Sequence, residues 1–61
     1  MEIKIGSVVK CHLPGSWVDG LTFTVEALNV TASDGVFGHR LRGNGGVTVV
    51  EPEFLELVKA A

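Results

Sequence analysis

Hydrophobic and polar residues alternate along much of this chain with a period of two. Near the N-terminus, Val9, Cys11 and Leu13 fall on one side of such a pattern, and Val8, Lys10 and His12 fall on the other. This alternation is typical of a β-strand, in which successive side chains point to opposite faces. No segment has the 3.6-residue period of an amphipathic helix, so the pattern predicts an all-β protein.

Turn-forming residues divide the chain into segments of strand length, which predicts five strands. These are Ser7–Leu13, Leu21–Val30, Val36–Arg42, Val47–Glu51 and Leu55–Val58. Asn44-Gly45 favours the positive φ values of a type I′ turn and therefore a tight hairpin between the third and fourth strands; the flanking glycines allow a slightly longer loop equally well. Pro52 has no N–H group to donate, so a single helical or 3-10 turn is expected there before the last strand.

The inward faces of the second and third strands follow from the same parity. Leu21, Phe23, Val25 and Ala27 are expected to point inward, whereas Leu28 and Val30 have the opposite parity. Because a one-residue shift moves side chains to the other face, a β-bulge is predicted near Ala27–Leu28. In the third strand, Phe37, His39 and Leu41 are expected to be internal.

Composition adds constraints to this picture. A chain of 61 residues forms one domain with a small core, and such domains commonly gain stability from a partner. Cys11 is the only cysteine, which excludes an internal disulfide and predicts a reducing, cytoplasmic location. No segment resembles a signal peptide or a membrane span. The hydrophobic content of 46% predicts uncovered apolar side chains, notably Val8, Leu28 and Val30, and hence self-association.

The first long loop, Pro14–Gly20, contains the only tryptophan. Trp17 and Val18 are the large apolar groups that this loop presents, and they are candidate partner-binding residues. Two roles for Trp17 stay open, a lid folded onto the core and an interface anchor. His39 is a third candidate, either as a buried, hydrogen-bonded residue or as a pH-sensitive contact.

A small basic face is also predicted. Arg40 and Arg42 share one face of the third strand, and Lys10 lies on an outer face nearby, so these three residues are candidate nucleic-acid contacts. A net charge of −2 and the lack of interleaved aromatic residues argue against this function as the main one.

No catalytic, metal or cofactor site is expected. Cys11 and His12 are neighbours on a strand and point apart, so they cannot hold one ion together. The glycine-rich stretch 43–46 lacks the lysine and helix of a phosphate-binding loop. Glu51, Glu53 and Glu56 are expected to be surface carboxylates, because a barrel this small has no cleft.

The order of these elements resembles that of SH3-like β-barrels: five short strands, a long first loop, a tight third hairpin, a single turn and a short last strand. The chain lacks the helix and the length of an OB-like barrel. It has no tyrosine for the proline-peptide groove of signalling SH3 domains, and few basic residues compared with KOW-type domains. Val47–Val50 lacks the glutamine and tyrosine of the plasmid-borne dihydrofolate reductases. Small accessory subunits with this fold are similar in size.

The resemblance and the composition together favour a protein-binding or self-associating module, such as an accessory subunit of a larger complex. A nucleic-acid-binding barrel is the second hypothesis. An oligomeric enzyme with its site at a subunit junction is the third, and the sequence favours a binding protein over an enzyme.

Overall fold

A computed structural model describes residues 2–43 and 45–61, and these form five β-strands and one 3-10 helix. The strands are β1 (Val8–Cys11), β2 (Thr22–Thr31), β3 (Phe37–Gly43), β4 (Gly46–Val50) and β5 (Leu55–Lys59), and the 3-10 helix is Pro52–Phe54. Each predicted strand is present, with its ends displaced by two residues at most. The predicted single turn at Pro52 is confirmed.

The strands form one antiparallel sheet in the order β4-β3-β2-β1-β5. The all-β class is therefore confirmed. β4 and β5 are the edges of the sheet, and they do not pair with each other, so the sheet is not closed. Within the two described ranges, no helix is both long and apolar enough to cross a membrane.

The pairing of β2 with β3 is irregular where the sequence predicts a bulge. The register shifts between Val25 and Ala27 and again between Ala27 and Val30. In the same segment Asn29 has a φ of 52°, a left-handed conformation that asparagine tolerates better than most residues. The bulge explains how Val25 is buried and Leu28 also packs against the core, although their parities differ.

The core collects residues from β1 to β4 and from the first loop. Its buried apolar members are Val9, Cys11, Val18, Phe23, Val25, Leu41 and Val50. Most of the predicted inward positions are thus correct, but two are wrong. Leu21 and Phe37 are 40% and 56% exposed, because they lie at strand ends, where the sheet no longer covers them.

The apolar residues expected to remain uncovered also differ from the prediction. Val8, Leu28 and Val30 are half-buried, and Leu28 packs against the core. The exposed large hydrophobic side chains are instead Ile5, Trp17, Leu21, Phe37, Val47 and Val58. Exposed apolar surface is present as predicted, but other residues supply it.

Candidate partner-binding site at Trp17

The first loop is held by its own hydrogen bonds. The backbone N–H of Gly20 donates to the carbonyl of Cys11 at 2.8 Å, and that of Leu21 donates to the carbonyl of Val18 at 3.0 Å. The Asp19 carboxylate accepts from the N–H of Leu13 at 2.9 Å. Gly20 has a φ of 79°, which glycine adopts without strain. The loop therefore holds its side chains in defined positions next to β1.

The two candidate residues of this loop point in different directions. Val18 is 1% exposed and belongs to the core, so the expectation that the loop presents Val18 to a partner is wrong. Trp17 is 56% exposed. Alternating parity cannot separate such neighbours in a loop, since the backbone there does not follow the two-residue repeat.

Trp17 rests on the β3–β4 hairpin and on the edge of the core. Its ring meets that of Phe23 edge-to-face, with centroids 6.0 Å apart and an interplanar angle of 82°, a favourable arrangement for an aromatic pair. A Cβ atom at Gly45 would lie 3.2 Å from the ring, and one at Gly43 would lie 2.6 Å from Phe23. We call Trp17, Phe23, Gly43 and Gly45 the Trp17 site.

The chemistry of the Trp17 site is that of an apolar contact with one polar group. Part of the indole is packed, and more than half of the side chain faces solvent. The ring is thus packed against the protein on one side and open to solvent on the other. The indole N–H can donate one hydrogen bond, so the site suits a partner that offers an apolar surface beside a carbonyl or carboxylate.

His39 has a structural role in the bulge. It is 8% exposed, and its Nδ1 accepts a hydrogen bond from the backbone N–H of Asn29 at 3.2 Å. This hydrogen bond joins β3 to the irregular part of β2. His39 therefore supports the left-handed residue of the bulge and offers little surface to a partner.

Two of the three basic candidates share one acidic neighbour. Arg42 Nε lies 2.6 Å from Glu26 Oε1, and Arg40 Nη1 lies 3.8 Å from Glu26 Oε2. Lys10 is on β1, where it pairs with Thr22 on β2 and with Glu56 on β5. Since Glu26 lies beside both arginines, the free positive charge available to phosphate groups is small.

Sequence reasoning misses one polar pair. His12 Nε2 lies 2.5 Å from Glu56 Oε1, and both side chains are largely exposed. The pairing of β1 with β5 brings them together across 44 positions of sequence, so only a correct prediction of that strand pair would have found it. Exposed pairs of this kind contribute little stability. In the described part of the chain, no three His, Cys, Asp or Glu side chains are grouped as metal ligands.

Cys11 is a core residue whose thiol is held in its neutral form. Burial raises the pKa of the Cys11 thiol above its ordinary value of 9.0, and the negative charge of Asp19 raises it further. We expect alkylation of the folded protein by iodoacetamide to be slow at pH 8, because the thiolate is the reactive species. Fast labelling at the rate of the urea-unfolded chain would contradict this burial.

The same shift has a consequence for stability. Above pH 9.0 the unfolded chain loses the thiol proton while the folded chain keeps it, so Cys11 lowers the free energy of unfolding as the pH rises through that range. A Cys11→Ala variant, although less stable overall, should lack this part of the alkaline decline.

Comparison with protein-family models, with curated proteins and with solved structures finds no match to this chain. The function therefore has to be inferred from the geometry of the Trp17 site and of the sheet edges.

Proposed function

We propose that this protein is a small binding module with an SH3-like β-barrel fold, and that it works by associating with itself or with a protein partner through the Trp17 site. The observation that carries the proposal is a tryptophan that is 56% exposed and yet packs edge-to-face against Phe23. Tryptophan is enriched among residues that dominate binding energy. A side chain that already packs against its own chain loses less conformational entropy on binding than one without contacts.

The strand order supports the SH3-like part of the proposal. β2 is the longest strand, and it pairs with β1 on one side and with β3 on the other. Its register shifts between Val25 and Val30, and a bulge of this kind increases the local bend and twist of a strand. The core contains residues from β1 to β4, and residues of β5 pack against it, as expected of a sheet that curls around one core.

The single cysteine supports a cytoplasmic location as part of the same proposal. Cys11 is buried and free, and a domain of this size in an oxidising compartment is usually cross-linked by disulfides.

Self-association is the first prediction of this proposal. We expect sedimentation equilibrium at micromolar concentration to show a dimer or a larger species, because the described chain leaves six large apolar side chains exposed. A protein that remains monomeric up to millimolar concentration would contradict self-association, and affinity capture with the folded protein would then identify another chain. Binding to duplex DNA that weakens steeply with salt would instead favour the nucleic-acid hypothesis.

A further inference from the structure

The two edges of the sheet differ in charge. β4 has the sequence Gly-Val-Thr-Val-Val, with neither a charged residue nor a proline, whereas β5 carries Glu56 and Lys59. Charged residues on an edge strand hinder the addition of another strand, and an uncharged β-branched edge favours it. β5 is therefore protected by the means that natural proteins commonly use, and β4 is not.

The register of the β3–β4 hairpin shows which backbone groups of β4 are free. Gly43 pairs with Gly46 across only two residues, so these two glycines must form a hydrogen-bonded pair. Such pairs alternate along an antiparallel ladder, which makes Leu41–Thr48 and His39–Val50 the next hydrogen-bonded pairs. The N–H and C=O groups of Val47 and Val49 consequently point away from β3, toward the open edge.

From this pattern we infer that β4 pairs with β4 of a second copy of the chain, antiparallel and centred on Thr48. The inference rests on the proposed function, and it specifies the surface through which the chain associates with itself. In this register Val47 faces Val49 of the second copy, and each of the two symmetric pairs forms two hydrogen bonds. The N–H and C=O groups of Val47 and Val49 are then hydrogen-bonded in both copies. Because β4 contains no charged residue, no like charges face each other across the new strand pair.

The side chains beside β4 are charged on β2 and β3 and apolar on β4 itself. Val47 and Val49 lie opposite Arg42 and Arg40 on the same face, and Glu26 lies beside both arginines. Glu26 therefore offsets part of this positive charge, and each chain keeps one net positive charge on this face beside the junction. Cross-strand valine pairs are also favourable on such a face.

The same register brings the Trp17 site into the contact. With Gly46 opposite Val50 of the second copy, the chain that follows, Glu51–Pro52, continues toward Gly45. Trp17 contacts Gly45, so the inferred pairing would bring this segment of the second copy close to the tryptophan. The aromatic side chain then extends a contact that one short strand alone would leave small.

A matched pair of substitutions tests this inference. Val47 on β4 and Val58 on β5 are exposed to a similar degree, 45% and 55%. Val47→Glu places a carboxylate opposite Arg42 within its own chain, so the monomer stays folded, and circular dichroism checks this. We expect V47E to raise the dimer dissociation constant at least about tenfold, because an edge charge opposes strand addition, and V58E to leave it within about twofold.

Amide hydrogen exchange followed by NMR provides an independent measurement. The amides of Val47 and Val49 should exchange slowly in the associated protein and rapidly on dilution to monomer, whereas the Thr48 amide should be protected in both. Exchange of Val47 and Val49 that does not depend on concentration would overturn the inference. So would a V47E protein that associates as tightly as the wild type. If the wild type associates and only V58E weakens it, self-association stands and pairing through β4 fails; a monomeric wild type overturns self-association and β4 pairing together, and leaves a different protein partner as the remaining form of the proposed function.

Discussion

Replacement of Gly38 by alanine is expected to remove most of the folding stability of the protein. A Cβ atom at this buried position would lie 2.2 Å from the carbonyl oxygen of Val50 and 2.8 Å from the backbone nitrogen of Glu51. These are backbone atoms, so no side-chain rotation can relieve the overlap. Overpacking commonly costs about 1–3 kcal/mol and sometimes more, while a domain this small has only about 3–5 kcal/mol of core stability. Urea unfolding followed by circular dichroism measures the loss.

Gly35→Ala is the matched control for this experiment. Gly35 has a φ of 93°, and no atom lies within 4 Å of a Cβ built there. Alanine at Gly35 therefore suffers only the backbone strain of the left-handed region, about 1–2 kcal/mol. We expect G35A to unfold at a moderately lowered urea midpoint and G38A at a much lower one. Equal stability of the two variants would mean that β3 and the end of β4 are not packed as closely as described.

The fold was predictable to the extent that its signals are local. The period of two and the turn residues gave five strands, and the change of parity between Val25 and Leu28 gave the bulge in β2. Neither the alternation nor the turn residues show whether the rest of the sheet covers a side chain that has inward parity. Leu21 and Phe37 have inward parity and are nevertheless exposed, since each lies at the end of a strand. The close approach of Gly38 to Val50 was also hidden, because it depends on how β3 and β4 coil together.

The candidate site was predictable only in part. The sequence places Trp17 in a long first loop, and that is where the structure has an exposed aromatic ring. Its neighbours Phe23 and Gly45 could not be deduced, because tertiary packing, and not a local pattern, brings residues 17 and 45 together. Val18 was misplaced for a related reason, since a loop has no regular alternation to show which neighbour turns into the core.

Replacement of Trp17 by alanine is expected to weaken association by more than about 2 kcal/mol, the range for a residue that dominates an interface. The loss of folding stability should be smaller. A fully buried aromatic residue costs about 3–5 kcal/mol when truncated, but Trp17 is 56% exposed, and its aromatic contact is the one with Phe23. An edge-to-face pair contributes about 0.5–1.5 kcal/mol beyond its area. Sedimentation equilibrium measures the first effect and urea unfolding the second.

Phe37→Ala controls for the loss of an exposed aromatic ring as such. Phe37 is also 56% exposed, but it begins β3, at the opposite end of that strand from the hairpin that supports Trp17. We expect F37A to associate like the wild type.

The fluorescence of Trp17 adds a second measurement, since an exposed indole that becomes covered on association should shift its emission to shorter wavelength as the concentration rises. Emission that is already blue-shifted and resistant to quenchers in the dilute monomer would identify Trp17 as a lid on the core. A W17A protein that associates as tightly as F37A would remove Trp17 from the interface altogether.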